Sequence, residues 1–218
     1  MNVRKFKQKE EWVDAIVDEI RGYIRPGMHI GLAGGDLPKS VYQKLADECF
    51  EKLEDTELWV LDERVVPLDD PDSNYHMISE SGVTDNVQAF HYFNTELPRE
   101  KMVEEYTEEL SLLDDYQFDL VILGIGEGGH IASIFPYSSL ITTTKPVGTD
   151  LIKSQDISDR VTVTLDVLKR AKHTIVIAEG QADEVILDLL ETVIDDEMIE
   201  AIPALYLTDI DSVSFYLL

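Results

Sequence analysis

The chain has 218 residues, 44% of them hydrophobic, enough to build the core of one α/β domain and too many for a disordered polymer. Its 44 Asp and Glu against 18 Lys and Arg give a formal charge of −26 at pH 7, which argues against nucleic acid as a partner, because phosphate backbones are held by clustered cations. A lone cysteine, Cys49, excludes an internal disulfide and fits a reducing cytosol, with the thiol buried or half-buried on a helix. No apolar run approaches the ~20 residues that span a bilayer, and the start MNVRKFKQKEEW has no apolar segment after its basic residues, so neither a membrane span nor a secretory signal is expected.

In chain order, EEWVDAIVDEIRGYI (10–24) sets Trp12, Val13, Ile16, Ile20 and Ile24 on one helical face, and Arg25-Pro26-Gly27 ends that helix. MHIGLA (28–33) is predicted as a short buried strand, and GGDLPKSVYQKLADECF (34–50) as a glycine turn opening a helix, with Pro38 near its first turn. LWVLD (58–62) is a second strand that runs into a long polar loop, DERVVPLDDPDSNY (62–75). QAFHYF (88–93) is a third strand, REKMVEEYTEELSLL (99–113) an acidic amphipathic helix, and FDLVILG (118–124) a fourth strand. That strand breaks into GIGEGGHIASIFP (124–136), four glycines around His130, which is expected to restart as a helix carrying Ser133. After an irregular segment to about Gln155 come VTVTLDVLKRA (161–171), a strand turning into a helix, then HTIVIA (173–178), a helix over 182–194, PALYL (203–207) and SFYLL (214–218).

Strands alternating with helices imply an α/β fold with a mostly parallel sheet and helices on both faces, one domain over 1–218. Three loops follow apolar runs and are expected at one edge of that sheet: AGGDLPK (33–39), DERVVP with PDSNY (62–75), and GIGEGGH (124–130). Of the side chains there, His130 has the ordinary pKa nearest neutrality and is the candidate general base, with glycine-loop amides as oxyanion donors near a helix N-terminus. No His/Cys/Asp cluster has metal-ligand spacing.

These loops, in this order, resemble the 6-phosphogluconolactonase family, within the group that includes glucosamine-6-phosphate isomerase/deaminase. GLAGGDLPKSVYQKL is similar to its first glycine loop, LDERVVPLDDPDSNYHM to its Asp-Glu-Arg and Asp-Ser-Asn segment, FDLVILGIGEGGHIASIFP to its Gly-His segment, and RVTVTLDVLKRAKHTIVIAEG to its later Arg-Ile-Thr segment. The resemblance implies an isomerase/CoA-transferase-like, Rossmann-like three-layer fold. It also implies cytoplasmic hydrolysis of 6-phosphogluconolactone to 6-phosphogluconate in the pentose phosphate pathway, with no cofactor and no metal. The partners it implies are a sugar-phosphate lactone and, at most, further copies of the chain: a monomer or small homo-oligomer. His130 falls on the family's catalytic histidine. Arg64 and Arg160 fall on its phosphate-contacting cations, and Gly34, Gly35, Lys39, Asn74, Gly126 and Gly129 on the surrounding binding positions. Where the family reads Asp-Gly-His this chain reads Gly128-Gly129-His130, so Glu127 is the expected substitute carboxylate. Ala33, Asp36 and Leu37 likewise replace the usual residues of the first loop. The alternatives are a glucosamine-6-phosphate isomerase/deaminase-type enzyme, disfavoured by Ser133-Ile134-Phe135-Pro136 after His130-Ile131-Ala132, and a sugar-binding homologue with weak or no turnover.

Overall fold

A computed structural model describes residues 2–180 and 194–218. Seven strands form a sheet in which every neighbouring pair is parallel: β1 (Asn2–Lys5), β10 (Val213–Leu217), β9 (Thr174–Ala178), β6 (Leu120–Gly124), β2 (His29–Leu32), β3 (Glu57–Val60) and β5 (Ala89–His91), in that spatial order. The runs that are apolar throughout lie in the middle. The first four residues of β6 and all of β9 are buried, as expected of strands covered on both faces. β1, the exposed NVRK, closes one edge with charged side chains, which discourage further pairing.

The helices follow their apolar stripes. α1 (Lys9–Tyr23) buries Trp12, Val13, Ile16, Val17 and Ile20, packs against α2 (Lys39–Leu53), and donates Trp12 Nε1–H to the Tyr216 carbonyl at 3.0 Å. α2 starts directly after Pro38 and buries Val41, Tyr42, Leu45, Cys49 and Leu53, so the cysteine is a buried free thiol. α4 (Arg99–Leu110) seats Tyr106 in the core, where its hydroxyl donates to the Val60 carbonyl at 2.6 Å. No helix among the described residues is long and apolar enough to cross a membrane.

Several expectations need correction. The segment 62–75 is not one loop: β4 (Asp62–Arg64) pairs antiparallel with β8 (Asp159–Val163), which pairs antiparallel with β7 (Val147–Leu151), and α3 (Asn74–Glu80) begins inside the same stretch. This three-stranded sheet stands apart from the main one. β8 therefore belongs to the small sheet, and α5 after it is a single turn (Leu165–Leu168). The helix expected after His130 does not form. A short turn at Glu127–Gly129, kinked by positive φ at Gly128 and Gly129, passes into tight bends with Ala132 and Tyr137 also at positive φ, a conformation that a right-handed helix does not continue through. PALYL is 3-10 (Pro203–Asp209), and the helix expected over 182–194 falls, but for its last residue, outside the described residues.

Candidate active site

The chain adds β3 and β5 on one side of β2, then returns to place β6 on the other, so strand order reverses between β2 and β6. Ligands of open α/β sheets bind at the carboxyl ends of the strands flanking such a point. A cleft of about 230 Å³ opens there, lined by Gly34, Gly35, Asp62, Arg64, Asn74, Gly126, His130 and Arg160 among others. The three loops converge as expected. Lys39 and Gly129 are not among the lining residues. Lys39 lines an adjoining polar cleft of about 220 Å³ that shares Gly35, Asp36 and Arg64. Gly129 is buried, with its N–H donated to the Gly126 carbonyl at 2.9 Å.

His130 is held by three neighbours. Its Nδ1 lies 2.9 Å from the Glu127 carbonyl, its ring stacks on Phe135 with centroids 4.1 Å apart, and Gly126 passes directly beneath it. A carbonyl can only accept, so Nδ1 carries the proton and Nε2 of the neutral ring keeps its lone pair, the state a general base requires. The orienting group is thus the main chain of Glu127 and not its carboxylate, which belongs to an exposed residue. Burial lowers the imidazole pKa, and the charges of Arg160 and Arg64 push the same way, against the Glu127 carbonyl and Asp62. The ring is therefore neutral at pH 7.

The glycines serve the protein's own side chains as much as a ligand. A Cβ on Gly126 would lie 2.0 Å from His130 Cε1, and one on Gly34 would lie 1.9 Å from Asn74 Cγ. Asn74 is itself buried and donates Nδ2–H to the Asp62 carbonyl at 2.6 Å, so it ties the second loop to itself while packing against Gly34 of the first. Glu63 completes that tie. Its carboxylate accepts from the N–H groups of Arg64, Asn74 and Tyr75 and from Ser73 Oγ, at 2.7–3.0 Å. Burial pushes the Glu63 carboxyl up to about 7 while those four donors pull against it.

Arg64 and Arg160 are direct cross-strand partners in the small sheet. Like charges placed opposite each other destabilise a sheet, and neither arginine has a salt bridge among the described residues. Arg64 donates to the Asp72 carbonyl at 2.8 Å and Arg160 to the Ile157 carbonyl at 3.1 Å. Arg160 is buried, and burial together with Arg64 lowers its pKa. The N–H groups of Gly34, Gly35 and Asp36 donate to no main-chain carbonyl among the described residues, and Gly35 has φ +87°. Successive free amides of this kind form a concavity for anions. Asp36 sits exposed at its rim. Among the described residues no group of three or more His, Cys, Asp and Glu can hold a metal ion.

Among the lining residues, Phe135 and Gln155 carry no site assignment from the sequence, and Asp62 enters there only as part of the DERVVP loop. Ser133, expected on a helix, instead lies buried in the turn after His130 and donates Oγ–H to Asp62 Oδ2 at 2.6 Å. Asp62 is marked in the sequence by its place at the end of an apolar run, within a loop expected at the sheet edge. Ser133 and Phe135 depend on a backbone path that no periodicity records.

Fold and cleft together define a doubly wound α/β protein that turns a neutral imidazole and two opposed guanidinium groups toward a small anionic ligand. Comparison with known proteins narrows the class. The chain belongs to the glucosamine-6-phosphate isomerase/6-phosphogluconolactonase family, whose model matches residues 7–213. It is 34% identical over 187 residues to the 6-phosphogluconolactonase of Thermotoga maritima, covering 79% of this chain and 81% of that protein. The crystal structure of 6-phosphogluconolactonase from Thermotoga maritima superposes with a TM-score of 0.86 at 27% identity, over 99% of this chain and 98% of the other. The 6-phosphogluconolactonase of Trypanosoma brucei gives a TM-score of 0.86 at 27% identity, over 99% and 95%.

Proposed function

We propose that the chain hydrolyses 6-phosphogluconolactone to 6-phosphogluconate, with His130 as the general base. The observation that carries this reading is the opposed pair Arg64–Arg160, which forms no salt bridge among the described residues, in the same cleft as an imidazole whose Nε2 is unprotonated. Two guanidiniums forced together are stabilised when an anion bridges them. The phosphate of a sugar-phosphate lactone supplies that anion and fixes the ring beside His130.

Nε2 takes a proton from water as the water oxygen attacks the lactone carbonyl carbon. The tetrahedral oxyanion collapses, the ring C–O bond breaks, and the imidazolium returns its proton to the departing alkoxide. The N–H groups of residues 34–36 and the guanidiniums are the donors available to the phosphate and the oxyanion. The buried free thiol of Cys49 is in keeping with a reducing cytosol.

The test follows acid release from phosphorylated and unphosphorylated gluconolactone, with spontaneous hydrolysis subtracted and ammonia release from glucosamine-6-phosphate measured in parallel. Faster hydrolysis of the phosphorylated lactone supports the proposal. Ammonia release without lactonase activity transfers the site to the deaminase chemistry, and silence in both assays makes it a binding site.

A further inference from the structure

A carboxylate remains in the cleft that the reaction as written does not use. Asp62 is only 6% exposed and lies where β3 gives way to β4. Its Oδ2 accepts from Ser133 Oγ at 2.6 Å, its carbonyl accepts from Asn74 Nδ2 at 2.6 Å, and its main chain is in register with Thr162 on β8. It has no salt bridge among the described residues, and no hydrogen bond to its Oδ1 is seen there, yet it lines the cleft together with His130. A buried carboxylate that makes no salt bridge is costly. Three separate restraints nevertheless hold this one in place.

We propose that Asp62 is the positioning carboxylate of His130, clamped by Ser133 so that its negative charge stabilises the imidazolium formed when His130 takes the proton of the attacking water. The inference rests on the reading of His130 as the base. The structure suits it, because the orienting contact on Nδ1 is a neutral carbonyl and Glu127 presents no carboxylate to the ring. The charged and titratable groups around the pair are Arg64 and Glu63 on β4, Arg160 on β8, Tyr42 on α2 and, exposed at the rim, Asp36 of the first loop. Both arginines oppose protonation of His130 and Asp62 favours it, while burial and the Asp62 charge together hold the Tyr42 hydroxyl neutral. Of the two carboxylates that line the cleft, Asp36 is exposed at the rim and Asp62 is the buried one, set against two guanidiniums in deciding how readily His130 carries a proton. Ser133 acts at one remove, by fixing the carboxylate.

The test is Asp62→Asn, which keeps the shape and still offers an acceptor to Ser133 Oγ. NMR titration of His130 is read beside the pH profile of kcat/KM. The His130 midpoint falls below that of the unsubstituted protein, and the acidic limb of the profile moves down with it. Turnover falls by about 10–100-fold, part of the 10²–10⁴ that general-base catalysis contributes, with little change in KM. Asp62→Glu, which keeps the charge, brings the midpoint back up. Ser133→Ala removes the hydrogen bond that spreads the carboxylate charge and raises the midpoint, which covers the case in which Asp62→Asn fails to fold. A purely structural role for Asp62 alters stability and KM but leaves the His130 midpoint where it was, and that result in either variant overturns the inference. Because the NMR arm needs no substrate, a protein without lactonase activity whose His130 still responds to Asp62 refutes the reaction while leaving the coupling intact.

Discussion

The contact beneath His130 makes Gly126→Ala the sharpest test of the site. Gly126 has φ −101° and ψ 178°, extended backbone that alanine adopts freely, so the substitution introduces no main-chain strain. The difficulty is the methyl group. It would lie 2.0 Å from Cε1, 2.4 Å from Nε2 and 2.7 Å from Nδ1 of His130, where carbon contacts need about 3.5–4.0 Å. The imidazole must therefore shift by about 1.5 Å, off Phe135 and out of reach of the Glu127 carbonyl. Losing that hydrogen bond costs about 1 kcal/mol and losing the ring stack about 0.5–1.5 kcal/mol. Together they lower Tm by about 3–10 °C for a domain of this size. A base displaced by more than 1 Å loses at least 10²-fold in rate, so kcat should fall by about 10²–10⁴, as far as in His130→Asn. Kinetics and differential scanning calorimetry on the two single variants and the double variant decide the matter. If the methyl acts only through the imidazole, the double variant is no slower than His130→Asn alone. A Gly126→Ala protein within about threefold of the original rate would show that His130 is not the base.

Arg64→Gln should raise KM for the phosphorylated lactone by about 10–100-fold, the worth of one or two charge-assisted hydrogen bonds, with a smaller effect on the unphosphorylated lactone; equal effects on both substrates would remove the phosphate from this site. Far from the cleft, His91 is stacked on Trp59 at 3.6 Å and bonded to Glu109 at 2.7 Å and Glu57 at 3.0 Å. Burial disfavours its charged form, but the two carboxylates prevail and raise its pKa. The unfolded chain then gives up this proton first, so the stabilisation is complete below an unfolded pKa of about 6.5 and disappears as pH rises through the folded value. Urea denaturation of His91→Gln should show a larger loss of stability at pH 5.5 than at pH 9, and a loss independent of pH would refute the assignment.

Legibility in the sequence follows the range of the interactions involved. Val121, Ile122 and Leu123 are buried by both faces of the sheet, so their strand announces itself as an apolar run, and the stripe of Trp12, Val13, Ile16 and Ile20 does the same for the first helix. The small sheet has no such mark. Asp62-Glu63-Arg64 is a three-residue polar strand, stabilised by pairing with residues about a hundred positions away, Asp62 with Thr162 and Arg64 with Arg160. That pairing sets the two arginines opposite each other, a relation the resemblance suggested but local pattern could not supply. The turn after His130 departs from the expected helix for a related reason. Ile131-Ala132-Ser133 has helical character, but Ala132 takes φ +47° and Ser133 is drawn inward to Asp62. Glycine there signalled close approach correctly. What approaches at Gly126 and Gly34 is the protein itself, an imidazole and a carboxamide.

The charge of −26 leaves one consequence that is testable without mutation. A phosphate dianion approaching from afar meets a net repulsive field, while Arg64 and Arg160 act only close to the cleft. The Debye length is about 30 Å at 0.01 M salt, about 8 Å at 0.15 M and about 3 Å at 1 M. Salt added over the first range therefore screens the distant carboxylates before it weakens guanidinium contacts made at hydrogen-bond distance. KM for the phosphorylated lactone should fall as ionic strength rises from about 0.01 to 0.15 M, then rise toward 1 M as screening reaches the contacts themselves. The unphosphorylated lactone, carrying no charge, should show a flat response. A KM for the phosphorylated substrate that climbs from the lowest salt onward would mean that the cations of the cleft outweigh the rest of the surface even at long range. The protein's net charge would then be the wrong quantity from which to judge its ligands.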